Sequence, residues 1–219
     1  MKTLVFFIFF ISFFYRIHAQ QHSEFGLQVQ ANAATQLVKN PAVPNDGTFS
    51  WTFIKTWGIG VYRNHHFNDR LALRNRLIYS QKGFKHNAQY AIGPGYPLKD
   101  ISSRYRLHYV SIDKLIQYNI GKSDSKPYII GGIRGDVLIS DNMPEQFGNP
   151  QGTQPIKRGD FRPLGLGGIA GMGIKLHQRM ILQGDLNFDI LPTLKQPDAA
   201  IRNWMWSLSL GFNLIGSDS

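Results

Sequence analysis

The chain of 219 residues contains no cysteine. That excludes disulfide staples, thiolate nucleophiles, zinc–thiolate centres and the lipid-modified cysteine of a bacterial lipoprotein. Acidic residues are scarce, with 14 Asp and Glu against 24 Lys and Arg and a formal net charge of +10. Long apolar runs are also missing. No stretch beyond the first residues approaches the ~20 apolar residues that a membrane-spanning helix requires. An exported domain without disulfides needs another device to hold it together, and continuous strand pairing around a closed barrel is one.

What is present begins with MKTLVFFIFFISFFYRIHAQ. Lys2 supplies a positive start, residues 4–14 an apolar core broken only by Ser12, and Ala19 a small residue before a polar run. This is the pattern of a secretory signal peptide over 1–19, which leaves 20–219 as one domain. Without Lys2 and Arg16 the remaining chain carries +8. On an exported protein such charge points to anionic lipid headgroups or acidic glycans rather than to nucleic acid.

The segment WMWSLSLGFNL (204–214) sets the central question. Trp204, Trp206, Leu208, Leu210 and Phe212 share one parity, and Ser207, Ser209, Gly211 and Asn213 share the other. Side chains alternate across a strand, so the segment has a greasy face and a small polar face. Seven further runs alternate in the same way, giving strands at 25–32, 53–63, 70–82, 105–120, 128–140, 164–176, 180–190 and 201–214. The connections between them run long, short, long, short, long, short, intermediate. Long loops at one end and short turns at the other are the rhythm of an up-and-down outer-membrane barrel.

Comparing parities assigns the faces. Apolar residues such as Ile59, Leu77, Ile133, Met172 and Leu186 occupy one face throughout. The other carries glycines together with Arg70, Arg74, Arg76 and Arg134 and with Asp113, Asp136, Asp185 and Asp189. Eight strands enclose a space just wide enough for side chains to fill. The charges therefore read as an internal polar network, and Trp204, Trp206, Leu208, Leu210 and Phe212 as facing lipid. Solvated charges on a soluble barrel are the competing reading, but an exposed strand face gains nothing from glycine. Asp113 and Lys114 are neighbours inside one strand, so a regular strand sends Lys114 to the lipid side unless a bulge intervenes.

Chemistry-bearing motifs are few. GLGGIA (165–170) satisfies a G-x-G-x-x-A pattern, but it lies inside a strand and opens no helix, so the glycines read as packing. His65 and His66 stand beside Asp69 without a third ligand at metal spacing. Ser207 and Ser209 with His108 are the sole nucleophilic option, and no G-x-S-x-G elbow accompanies them. These residues give no catalytic, cofactor or metal site.

The run GVYRNHHFNDRLALRNRLIYSQKGF (60–84) resembles the second hairpin of the PorT-like outer-membrane β-barrels of Bacteroidota-type bacteria. LIQYNIGKSDSKPYIIGGIRGDVLIS (115–140) and LGLGGIAGMGIKL (164–176) extend the resemblance over most of the chain. Where that family often has a Pro-containing strand, this chain has Ile112-Asp113-Lys114-Leu115. The resemblance implies an outer-membrane barrel, some of whose relatives are linked to protein secretion, and it implies no catalytic residue.

The expectation is an all-β protein: an eight-stranded antiparallel transmembrane barrel in the bacterial outer membrane, monomeric, non-enzymatic and plugged by polar side chains. Its partners would be outer-membrane lipid and envelope or secretion proteins that meet the loops 33–52, 83–104 and 141–160. The alternatives are a soluble lipocalin-like barrel holding an apolar ligand and a barrel enzyme acting on lipid.

Overall fold

The computed structural model describes residues 23–39, 50–90, 99–120, 127–142, 161–177, 179–193 and 200–215. The expected signal peptide lies outside them. Among the described residues the chain forms β1 (Ser23–Lys39), β2 (Ser50–Thr52), β3 (Ile54–His66), β4 (Leu71–Tyr90), β5 (Lys99–Asn119), β6 (Pro127–Asn142), β7 (Leu164–His177), β8 (Met180–Asp189) and β9 (Ala200–Ile215).

All pairings are antiparallel, and β1 bonds to both β3 and β9 while β4 bonds to both β3 and β5. The sheet therefore closes on itself. β2 and β3 are one stave interrupted at Phe53, because both pair with β4, at Thr52↔Lys85 and Gly58↔Ser80. Six residues on that stave span five on β4, which is a bulge. Eight staves result.

The stagger can be followed along one hydrogen-bonded row. From Phe25 it passes through Arg63, Asn75, Lys114, Ile133, Gly168, Phe188 and Trp204 and returns to β1 at Thr35. The displacement from Phe25 to Thr35 is ten residues. Such a stagger goes with strands tilted by roughly 35–45° to the barrel axis.

Several strands outrun their sequence pattern. β1 keeps pairing with β9 as far as Lys39↔Ala200, and β4 with β5 as far as Tyr90↔Lys99. Residues 33–39 and 50–52 of the first expected loop and 83–90 and 99–104 of the second are thus strand, because continued backbone pairing overrides the local turn composition, and 40–49 lies outside the described residues. The Gly- and Pro-containing part of the second loop, 91–98, and most of 141–160 fall outside the described residues.

The faces are inverted relative to a water-soluble barrel. Leu27, Ile59, Ile116, Ile133, Met172, Leu182 and Leu208 are exposed, whereas Arg74, Arg76, Asp113, Arg134, Asp136 and Asp185 are buried. Trp206, Leu208, Leu210 and Phe212 point outward, and Trp204 lies half-buried with its ring 6.2 Å from that of Phe188. A lipocalin-like barrel needs the apolar parity inside, so that alternative does not survive. An apolar outer face on a closed antiparallel sheet is what a bilayer demands of a strand protein.

Asp113 and Lys114 follow the regular alternation, Asp113 inward and Lys114 outward. The irregularity in β5 relative to β6 falls at His108/Tyr109 instead.

The polar interior as candidate functional site

The interior is built in three tiers. At the end with the short turns, Glu24 of β1 accepts hydrogen bonds from Asn64 Nδ2 at 2.9 Å and from Lys175 Nζ of β7 at 2.7 Å, and His66 Nε2 stands 3.6 Å away. Arg74 lies just above, donating to Asn64 Oδ1 at 2.7 Å, to the Tyr128 hydroxyl at 3.1 Å and to Gln183 Oε1 on the far wall. Its guanidinium is held between the rings of Tyr62 and Tyr128, 5.3 and 5.0 Å from their centroids. The tyrosines fit because glycines face them. A Cβ on Gly26 would come within 2.4 Å of Tyr62, and one on Gly173 within 2.4 Å of Tyr128.

The middle tier is Arg76 of β4 with two carboxylates. Its Nε donates to Asp113 Oδ2 at 2.8 Å and its Nη1 to Asp185 Oδ2 at 2.7 Å, with all three side chains about 1% exposed. Gln183 Nε2 reaches both oxygens of Asp185, at 2.8 and 2.9 Å.

In the upper tier Arg134 donates to Asp136 Oδ2 at 3.1 Å, Asn187 Oδ1 at 2.9 Å and Asp189 Oδ1 at 2.9 Å. Lys82 Nζ donates to Asp136 Oδ2 at 2.6 Å and lies 4.6 Å over the Tyr109 ring. Ser111 donates to the other oxygen of Asp136. Asp189 Oδ2 accepts from Asn203 Nδ2 at 2.6 Å and from Thr193 Oγ1 at 3.3 Å. Thr193 follows β8 and is itself buried, so the chain bends inward over this tier.

Of the residues expected in the network, Arg74, Arg76, Asp113, Arg134, Asp136, Asp185 and Asp189 meet inside the barrel. Arg70 does not. It is exposed in the 67–70 turn, where Asn68 Oδ1 accepts the N–H groups of Arg70 and Leu71 at 2.9 and 2.8 Å. That cap starts the strand one residue late, and alternation cannot be extended through a turn. Lys82, Glu24 and Lys175 complete the set, so the described interior holds five cations and five anions. Lys82 keeps the inward parity of Arg74 and Arg76. It stands at the end of the expected strand, which is why pattern alone did not assign it a partner.

The wall formed by β9 and β1 differs in character. It carries Gln28, Gln30, Asn32, Ser207 and Ser209, all buried. Polar atoms of Gln28, Asn32 and Ser209 have no protein partner, the kind of groups that ordered water satisfies. Ser207 and Ser209 face the lumen, whereas His108 is on the outer face with its Nδ1 2.6 Å from the Tyr79 hydroxyl. The would-be nucleophile and base thus lie on opposite sides of the sheet. His65 and His66 also diverge, His65 edge-on to Phe67 at 5.3 Å and His66 toward Glu24. GLGGIA lies within β7.

Chemically, the arrangement cross-links the barrel through its own axis. Three staves lie between β4 and β8 in either direction, and Arg74 and Arg76 span that distance to Gln183 and Asp185.

A family model described as outer membrane protein beta-barrel domain matches residues 18–194. No curated protein matches the chain. Among solved structures it is similar to the outer membrane protein OprG of Pseudomonas aeruginosa, at 14% identity over 91% of this chain and 99% of that one, with a TM-score of 0.49. It is similar to outer membrane protein W of E. coli at 17% identity over 90% of this chain and 100% of that one, with a TM-score of 0.38. The attachment invasion locus protein Ail of Yersinia pestis aligns at 11% identity over 88% and 99%, with a TM-score of 0.41. At these identities the likeness concerns fold alone.

Proposed function

Because this chain belongs to the outer membrane protein beta-barrel domain family and resides in the outer membrane, we propose that it is a plugged, non-enzymatic barrel that acts through the surfaces it presents outside the bilayer. It works there as a monomer with a structural, adhesive or secretion-accessory role. The observation that carries this reading is the pair of arginines on β4 that reach the opposite wall at Gln183 and Asp185. With Arg134 and Lys82 stacked above them on Asp136 and Asp189, the centre of the lumen is filled by neutralised, hydrogen-bonded side chains. A solute would have to break buried ion pairs to pass, which a porin does not require.

The resemblance to PorT-like barrels favours the secretion-accessory role among the three. The contacts for it are assigned to the long connections within 33–52, 83–104 and 141–160. Separation of Ser207 and Ser209 from His108 supports a non-enzymatic role.

The reading is tested by reconstituting the full-length protein in planar bilayers and, separately, by recovering partners from outer-membrane extracts through a tagged chain. The expected results are no steady porin-like current and a partner whose capture is lost when segment 143–160 is replaced. A stable, voltage-independent current from the wild-type protein would overturn the plugged reading.

A further inference from the structure

Among the described residues, the apolar band between the levels of Tyr118 and Tyr79 is broken in one place. Arg63 on β3, Asn75 on β4 and Lys114 on β5 are outward-facing and lie in direct register, Arg63↔Asn75 and Asn75↔Lys114. On β4 and β5 the pairs on either side of this row are apolar, Leu77↔Ile112 above and Leu73↔Ile116 below, while on β3 Val61 stands above Arg63 and His65 below it. The ten-residue stagger makes the row climb as it passes from β3 to β5, so Arg63 is nearest the short-turn end and Lys114 deepest. Lys114 stands four residues along β5 from Tyr118, about 10 Å of barrel height at ~3.3 Å per residue and the tilt given above. That is near the middle of an apolar band ~25 Å tall.

A cation at mid-depth costs roughly 2–4 kcal/mol on a barrel's lipid face, so such residues are retained where something rewards them. We infer that the Arg63–Asn75–Lys114 row is a binding site for the phosphate of a phospholipid from the periplasmic leaflet, drawn below its usual level along the barrel wall. Three features select this occupant. Two cations and an amide donor call for an anion with several acceptor oxygens. The lower end of the row opens at the short-turn, periplasmic edge, where Arg63 Nη2 also reaches Ser23 Oγ at 3.4 Å, so a headgroup enters without crossing the acyl layer. On β4 and β5 the row is one residue wide and bordered by Ile and Leu side chains against which acyl chains pack. A second copy of the chain is disfavoured, because a two-fold contact through this row would set like charges against each other.

The test is native mass spectrometry of the full-length barrel in detergent with added dioleoylphosphatidylglycerol. The wild-type protein should retain one such lipid in preference to dioleoylglycerol, which has the same chains and no phosphate. Arg63→Met and Lys114→Met should each weaken retention about fivefold, as expected for a cation at a lipid surface. Both variants should fold, since each makes the outer face more apolar, and heat-shifted gel mobility checks this. Inorganic phosphate at millimolar concentration should leave retention unchanged; displacement by it would mean a free-phosphate site and overturn the lipid assignment. Equal retention by wild type and variants, or equal binding of dioleoylglycerol, would also overturn it. A photo-crosslinker at Ile116 that yields a protein adduct lost in Lys114→Met would replace the lipid with a protein partner.

Discussion

Arg76 on β4 and Asp185 on β8 meet at 2.7 Å across the full width of the barrel, each side chain about 1% exposed. A buried ion pair adds little net stability compared with a well-packed apolar pair, but removing one partner strands the other in a low-dielectric interior. The relationship is therefore sensitive to single changes and tolerant of concerted ones.

Asp185→Ala should destabilise the folded barrel by about 3–5 kcal/mol. Replacing Arg76, Asp113 and Asp185 together by Met, Leu and Leu should recover most of that loss, because no charge of the middle tier is left behind. Equilibrium urea unfolding in lipid vesicles, followed by tryptophan fluorescence, measures both. A single variant as stable as the wild type would show that the tier carries no strain of this kind.

Gly173→Ala places a methyl group against the Tyr128 ring, where a Cβ would approach to 2.4 Å. The expected cost is about 1–3 kcal/mol of overpacking. Tyr128→Leu removes the obstruction, so the double variant should be markedly less unstable than the sum of the singles. Additive losses would place the glycine's role elsewhere.

Leu208 lies outward in the middle of β9 and is 57% exposed. Leu208→Arg should cost roughly 2–4 kcal/mol at the bilayer midplane and block assembly, while Ile215→Arg at the strand end should be tolerated. Heat-shifted mobility and resistance to carbonate extraction report assembly. Free recovery of the Leu208→Arg protein in assembled form would contradict the lipid-facing assignment.

Incubated with phospholipid vesicles, the wild-type barrel should release no more fatty acid than a protein-free control. Ser207→Ala and His108→Ala should leave that result and the assembly of the barrel unchanged. Lipid hydrolysis abolished by either substitution would restore the enzymatic alternative.

The face assignments were legible in the sequence because period two is strict along Trp204–Phe212 and through Arg74, Arg76, Asp113, Arg134 and Asp185. What escaped lies at strand ends, where alternation carries no information about where pairing stops. Arg70 shares the parity of Arg74 but belongs to a turn capped by Asn68. Glu24 precedes the first alternating residue, yet β1 begins at Ser23 and carries it inward to Lys175. Pairing across the lumen was also beyond sequence reach: nothing in the spacing of Arg76 and Asp185 says that their strands are opposite each other. The split between β2 and β3 depends on a one-residue mismatch in length against β4, which periodicity does not reveal.

The neutral wall along β1 and β9 bears on how such a barrel comes to be closed. The first and last strands must find each other, and apart from Glu24 their lumen-facing residues in the described span are uncharged. The ion pairs of the middle and upper tiers are held wholly within β4 to β8. An open, curved sheet of those strands can neutralise its charges before the ends join. The final seam is then zipped by backbone hydrogen bonds and by amide and hydroxyl contacts such as Asn187 with Ser207 and Tyr62 with Asn213. The Glu24–Lys175 bond is the one ionic contact among these that forms only when the first strand swings home.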